Sequence, residues 1–137
     1  MLASAGARTE ATERSVTTAD PFVAHCLELL APLGSVTARR MFGGHGLYCD
    51  GVMLALVADD MLYLKVDDAN RGAHETAGLP PFTYVAKGRQ RAVMSYYQPP
   101  LDALDDAATM RPWAEAALAA ARRARLAKPK PERRARR

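Results

Sequence analysis

The sequence has few of the residues that most enzyme and metal sites require. It holds two cysteines and three histidines, at Cys26, Cys49, His25, His45 and His74. No Ser-His-Asp order, nucleophile elbow or metal-binding helix motif is present. Neighbouring side chains on a helix point about 100° apart, so His25 and Cys26 would not readily chelate one ion. We therefore predict no metal site, no cofactor, two reduced and buried thiols, and surface positions for His25 and His74.

Long apolar runs are also absent. The longest, such as Val52 to Ala58, fall far short of the roughly 18 residues that a membrane-spanning helix requires. Residues 1–19 are rich in Ala, Ser, Thr and Glu and lack the apolar region of a secretory signal. We predict a cytoplasmic protein without membrane contact, with a disordered leader over residues 1–19.

Acidic residues are scarce at the C-terminal end. Residues 122–137 hold nine basic residues and one acid, Glu132, whereas the remainder holds ten basic and fourteen acidic residues. The positive charge of the chain therefore belongs to this end, and residues 127–137 are predicted to form a basic, disordered tail. The candidate nucleic-acid contacts are its basic residues and those of the preceding helix, namely Arg122, Arg123, Arg125, Lys128, Lys130, Arg133, Arg134, Arg136 and Arg137.

Residues 20–126 have the pattern of one α+β domain. Asp20 is a suitable N-cap, Pro21 fits a first helical turn, and apolar residues then recur at helical spacing as far as Gly34. Four β-rich segments follow between residues 36 and 66, joined by loops too short for parallel crossovers. They predict a four-stranded antiparallel meander. Its strand from Val52 to Ala58 is apolar on both faces and is predicted to be central, with something covering each face.

The rest of the domain adds a hairpin and two helices to this meander. Asp67-Asp68 predicts the start of a middle helix that runs to about Ala77. Residues 82–87 and 91–97 then form a hairpin around a positively charged turn of residues 87–90. A C-terminal helix begins near Thr109 or Arg111, with Pro112 in its first turn. The predicted fold is an antiparallel sheet, a meander plus a hairpin, with N-terminal, middle and C-terminal helices.

A glycine-rich loop carries the most distinctive residues, namely Arg39, Arg40, Met41, Phe42, Gly43, Gly44 and Gly46. Its glycines predict positive φ or close backbone approach, and Met41 and Phe42 are expected to anchor the loop in the core. The alternative is a phosphate site gripped by Arg39 and Arg40. This loop leads into a strand, however, and not into a helix N-terminus.

Together with Leu62-Tyr63-Leu64-Lys65-Val66-Asp67, Phe82-Thr83-Tyr84 and Ser95-Tyr96-Tyr97, this loop resembles the N-terminal domain of the TfoX/Sxy family over about residues 20–126. The resemblance implies a secretion-chaperone-like α+β fold. It also implies a regulator of competence genes that acts with a transcription factor of the cyclic-AMP receptor type. Competence regulators of that family carry a second, helical domain, whereas this sequence continues into the basic tail. The resemblance brings no catalytic residues with it.

The predicted function is a non-enzymatic regulatory or adaptor domain that acts by protein–protein contact. An exposed face or edge of the sheet is the expected interface, to which Tyr48, Tyr63 or Tyr97 could contribute. Self-association through the sheet belongs to the same class, and the oligomeric state is left open. The only pair that suggests an enzyme is Cys49 with His45.

Nucleic-acid association is the alternative function. The basic C-terminal end would bind phosphates without sequence preference. On the second hairpin, Phe82, Tyr96 and Tyr97 could stack on bases beside the cations Lys87, Arg89 and Arg91. Aromatic residues in strands more often pack within a core, and that interpretation is favoured here.

Overall fold

The computed structural model describes residues 20–41 and 43–127. Helix α1 (Pro21–Leu30) begins after Asp20, whose carboxylate accepts hydrogen bonds from two backbone N–H groups of the first turn, at 2.9 and 3.2 Å. A 3₁₀ turn (Ala31–Leu33) extends this helix to the glycine predicted to end it. The capping residue and the end of the first helix are therefore confirmed.

Six strands form a single antiparallel sheet in the described part of the chain. The first four are β1 (Val36–Met41), β2 (Gly44–Cys49), β3 (Val52–Ala58) and β4 (Met61–Lys65). After helix α2 (Arg71–Thr76) come β5 (Pro81–Ala86) and β6 (Arg89–Tyr97), then a 3₁₀ turn (Leu101–Asp105) and helix α3 (Ala107–Ala127). The strand order is β1-β2-β3-β4-β6-β5, so the predicted α+β fold of a meander plus a hairpin is confirmed.

The helices all lie on one face of the sheet, where they enclose the core. Helices α1 and α3 contribute Leu30 and Met110, which are fully buried together with Leu62 and Leu64 of β4. The alanine-rich face of α3, with Ala114, Ala117 and Ala121 buried, lets this helix lie close to the strands. Helix α2 joins the same side through its buried His74.

The opposite face of the sheet has no helix over it among the described residues. The prediction that both faces of the strand from Val52 to Ala58 are covered is therefore wrong. A register shift beside Leu47 and Tyr48 places both Leu54 and Ala55 in the core, while Met53 and Leu56 stay half-buried on the other side. The prediction failed because a strand with two apolar faces has the same sequence pattern whether its second face is covered by a helix or by a binding partner.

Three element boundaries differ from their predicted positions. Helix α2 begins at Arg71, because the Asp67 carboxylate accepts the N–H of Ala69 (3.0 Å) in a turn that precedes the helix. The second hairpin turns on Lys87 and Gly88 alone, with φ of +55° and +74°. Arg89 and Gln90 therefore belong to β6 and not to the turn.

Helix α3 begins earlier than predicted, at Ala107. The Asp106 carboxylate caps it by accepting the backbone N–H of Thr109 at 3.0 Å. Pro112 consequently lies in the second helical turn and not in the first. Pro112 is exposed, and the helix continues past it to Ala127.

Candidate functional site

The helix-free face of the sheet carries a band of half-buried apolar side chains. Strand register places Leu56 of β3 opposite both Gly46 of β2 and Tyr63 of β4, and the Phe82 ring packs edge-on against the Tyr63 ring, 4.9 Å between centroids. Tyr48 lies opposite Met53 on the same face. We call this set the apolar band; its members are Met41, Tyr48, Met53, Leu56, Tyr63 and Phe82.

Part of the apolar band packs against the backbone of Gly46. A Cβ at this position would lie 2.7 Å from the Met53 sulfur, 2.9 Å from the Met41 sulfur and 3.1 Å from Tyr48 Cε1. Because glycine has no Cβ, the side chains of Met41, Met53 and Tyr48 can lie directly against the backbone of Gly46. Met41 belongs to this exposed face, so the expectation that it anchors the loop in the core is wrong.

The other two glycines of the motif have separate functions. Gly44 faces the backbone carbonyl of Val57, where any Cβ would collide, and Gly43 has φ of +80° in the turn between β1 and β2. Of the three glycines in the predicted loop, Gly44 and Gly46 lie within strand β2 and Gly43 lies in the turn. Phe42 lies outside the described residues.

The strands carry positive charge and no carboxylate. Their sequences include no Asp or Glu, and their basic residues are Arg39, Arg40, Lys65, Arg89 and Arg91. The Arg39 guanidinium lies 5.0 Å from the centre of the Tyr48 ring, and the Lys65 ammonium 5.0 Å from that of Tyr96. Such cation–π contacts hold the cations at the border of the apolar band.

A comparison with family models finds a match to this chain. The model of the TfoX N-terminal domain matches residues 28–121, a range that includes all six strands, most of α3 and only the last turn of α1. This chain belongs to the TfoX N-terminal domain family. A comparison with curated proteins finds no match.

At the level of the family, the TfoX N-terminal domain is a regulatory, competence-associated domain that is not known as an enzyme. The matched range falls inside residues 20–126. The boundaries predicted for the leader, the domain and the tail remain predictions, and residues 1–19 and 128–137 lie outside the described residues.

Arg39 and Arg40 do not form a joint phosphate grip in this TfoX domain. Consecutive strand residues point to opposite faces, and Arg39 stands opposite Gly46 whereas Arg40 stands opposite His45. A cleft of about 370 Å³ beside Arg39 is lined by Ser35, Thr37, Tyr48, Asp50 and Gly51. The Asp50 carboxylate there makes the cleft a poor site for an anion.

Cys49 and His45 do not form a catalytic pair. They lie four residues apart on β2, which at the rise of a strand separates them by roughly 13 Å. Cys49 is buried in the core, and burial, with a smaller effect of Asp50, raises the pKa of its thiol. Burial raises the pKa of Cys26 to about 12. Both cysteines are free and buried, as predicted.

His74 is buried, which overturns its predicted surface position. Its Nδ1 lies 2.8 Å from the Gln98 carbonyl oxygen, and its ring packs edge-on against Trp113 of α3 with centroids 4.8 Å apart. Nε2 has no hydrogen-bond partner within the described residues. Burial lowers the pKa of His74, so the ring is held neutral. His74 thus joins α2 to α3 and to the end of β6.

The tyrosines of β6 are both buried, but on opposite faces of the sheet. Tyr97 stands opposite the core residue Leu64, is 2% exposed and donates its hydroxyl to Glu75 of α2 at 3.1 Å. Tyr96 stands opposite Lys65 on the face of the apolar band and is 9% exposed beneath the Lys65 ammonium. The favoured interpretation, that these two rings pack within the fold, is confirmed. Tyr97 is therefore unable to contribute to an interface, which leaves Tyr48 and Tyr63 among the predicted contact residues.

The arginines at the end of α3 fasten the helix to the sheet. Arg122 pairs with Asp50 at 2.8 Å, and Arg123 grips both carboxylate oxygens of Asp67 at 2.7 and 2.9 Å. Arg125 lies beside Gly51. Sequence reasoning missed these pairs, which join residues more than fifty positions apart. The other six candidate nucleic-acid contacts lie outside the described residues.

Within the described ranges, no group of three His, Cys, Asp or Glu residues could hold a metal ion. No helix in the same ranges is long and apolar enough to span a membrane.

Proposed function

We propose that this TfoX domain is a non-enzymatic regulatory adaptor that binds a protein partner through the apolar band. The observation that carries the proposal is the position of the band, on a sheet face that no described helix covers and that has no carboxylate in its strands. Apolar side chains that pack on one another without joining the core present a surface suited to burial by another molecule.

The chemistry of the band fits a protein partner. Met, Tyr and Arg are enriched at protein interfaces, and acidic residues are depleted there. The thioethers of Met41 and Met53 can adapt their shape to a partner, since methionine side chains are flexible and polarisable. Arg39 and Lys65 at the border favour a partner whose rim is acidic. We infer a transcription-regulatory protein, the partner class that the family resemblance implies.

Absence of catalysis is part of the proposal and is supported by the two thiols. Burial raises the pKa of both Cys26 and Cys49, whereas a nucleophilic cysteine needs a lowered pKa and access to substrate. Two unbridged cysteines also support the cytoplasm as the site of action.

A capture experiment with matched variants tests the proposal. Leu56→Arg places a charge in the centre of the apolar band, and Ala24→Arg places the same charge on the exposed side of α1. Tagged wild-type chain and the Ala24→Arg variant should retain the same proteins from native lysate, and Leu56→Arg should lose them while keeping its melting temperature within a few degrees. Equal retention by all three would contradict the proposal.

The alternative, nonspecific nucleic-acid binding by the basic tail, stays a prediction. Arg122 and Arg123 are engaged in ion pairs with Asp50 and Asp67. Phosphate binding by these arginines would first have to break those pairs. The structure therefore gives no specific support to this alternative.

A further inference from the structure

The second hairpin projects beyond the sheet as a two-stranded ribbon. Strand β6 pairs with β4 only at Lys65–Tyr96 and Leu64–Tyr97, whereas it pairs with β5 along residues 82–93. We call residues 82–93 the basic ribbon. Its side chains are largely exposed, Tyr84 at 44% and Val85 at 71%. A two-stranded hairpin is only marginally stable in water, so the exposed side chains of Tyr84 and Val85 add little to the stability of the ribbon.

One face of the ribbon combines aromatic rings with cations. The register sets Phe82 opposite Val93, Tyr84 opposite Arg91 and Ala86 opposite Arg89, and pairs two residues apart share a face. The rings of Phe82 and Tyr84 lie nearly parallel, with centroids 6.2 Å apart. Tyr84, Arg89 and Arg91 therefore form one surface that adjoins the apolar band at Phe82.

The cations of the ribbon have no counter-charge nearby in the sequence. No Asp or Glu occurs from Thr76 to Leu101. Within the described residues, no ion pair or side-chain hydrogen bond involves Lys87, Arg89 or Arg91. The arginines of α3 at Arg122 and Arg123 are neutralised by aspartates instead.

Protection of a sheet edge explains only part of this surface. Charged residues often sit on edge strands to prevent association between sheets, and residues 89–93 of β6 pair only with β5, which leaves their other edge open. Edge protection would account for Arg89 and Arg91, but it does not account for the exposed Tyr84 ring opposite Arg91.

We propose that the basic ribbon binds single-stranded nucleic acid, with Tyr84 stacking on a base while Lys87, Arg89 and Arg91 contact phosphates. Proteins that bind single strands combine exposed aromatic rings with a positively charged path for the backbone. A duplex conceals the faces of its bases, so an exposed Tyr84 ring gains contact only with an unpaired strand. This site is separate from the apolar band and does not depend on the protein-binding proposal.

Fluorescence anisotropy of a labelled oligo-dT of about 20 nucleotides, with the full chain, measures the interaction. The triple variant Lys87→Gln, Arg89→Gln, Arg91→Gln removes three phosphate contacts. It should lower the slope of log affinity against log salt by about 2, since each contact on a single strand contributes about 0.7. Arg133→Gln, Arg134→Gln, Arg136→Gln removes the same charge from the tail and should have the smaller effect.

Variants of Tyr84 distinguish base stacking from binding by charge alone. Tyr84→Leu should weaken oligo-dT binding about fivefold or more, and Tyr84→Phe should retain it, because base stacking on an aromatic ring contributes at least about 1 kcal/mol. A duplex of equal length should bind more weakly and respond to neither variant. These four side chains are exposed, so melting temperatures should not change.

Three results would overturn the proposal. They are failure of the wild-type chain to bind oligo-dT, an equal loss of affinity and salt slope from the ribbon and tail triple variants, and tighter binding of duplex without an effect of Tyr84→Leu. The last two would assign any nucleic-acid contact to charge alone.

Discussion

The two faces of the sheet differ in what their apolar side chains do. On the covered face, Leu62 and Leu64 are fully buried against α1 and α3. On the open face, Leu56 and Tyr63 are half-buried and contact mainly their neighbours in the strands. Leu62, Tyr63 and Leu64 are consecutive residues of β4, and the alternation of side chains along that strand assigns the leucines to stability and the tyrosine to binding. Four comparisons between variants can sharpen or break this division.

The largest difference should appear when a leucine is truncated on each face. Leu62→Ala removes a core side chain and should lower the free energy of unfolding by about 2–5 kcal/mol. Leu56→Ala removes a half-buried side chain and should lower it by about 1 kcal/mol, in proportion to the smaller apolar area buried. Urea unfolding of both variants measures the comparison. Equal losses would show that the open face is part of the stabilising core.

Gly46 tests whether the apolar band itself is closely packed. Gly46→Ala would place a Cβ within 2.7 Å of the Met53 sulfur, and displacement of this flexible side chain should lower the free energy of unfolding by about 1 kcal/mol. Gly72, which has open space at the Cβ position, provides the control, since Gly72→Ala in α2 should be neutral or stabilising. If the two variants lose equal stability, the band is not packed over Gly46.

The covered face should also be sensitive to pH through His74. Its pKa is lowered from 6.5 by burial, so the unfolded chain binds the proton at a higher pH than the folded one. The associated stability is complete above about pH 6.5 and is lost as the pH falls through the folded value.

Replacement by asparagine isolates this titration. His74→Asn keeps a donor near the Gln98 carbonyl but does not titrate. It should be less stable than wild type at pH 8 and lose less stability between pH 7 and pH 5. Thermal unfolding of wild type and His74→Asn across this range measures the effect. An unchanged pH dependence in His74→Asn would exclude His74 as the source.

The smallest effect on stability should distinguish the paired arginines of α3 from the arginines of the basic ribbon. Arg123→Gln removes the bidentate partner of Asp67, whose pKa that pair lowers. It should reduce the melting temperature slightly near pH 7, with the difference disappearing below about pH 3.8 as Asp67 becomes protonated. Arg91→Gln removes no described ion pair and should leave the melting temperature unchanged. A larger decrease from Arg91→Gln would contradict the assignment of the ribbon to binding.

The elements of the fold were predictable because their signals are local. Asp20 before Pro21 identifies the first helix, and short loops between β-rich segments require antiparallel neighbours. Gly44 and Gly46 were recognised as important, but their positions within β2 depend on contacts with Val57 and Met53 from another strand. Contacts of that kind leave no spacing pattern in the sequence.

The candidate site was less predictable for the same physical reason. Apolar alternation in β3 did not show which face the helices would cover, so the open face was expected to be closed. His74 appeared to be a surface residue because one polar residue in a short helix has no periodicity that indicates burial. The ion pairs of Arg122 and Arg123 join the end of the chain to distant turns, and composition alone assigned these arginines to nucleic acid.

The central claim, that the open face contacts a protein partner, is tested most directly by site-specific photo-crosslinking. A benzophenone amino acid placed at Tyr63 lies in the apolar band, and the same group placed at Ala24 lies on the exposed side of α1. The account predicts a discrete protein adduct from position 63 and none from position 24 after illumination of the full chain in native lysate. Equal adducts from the two positions, or none from position 63, would contradict it.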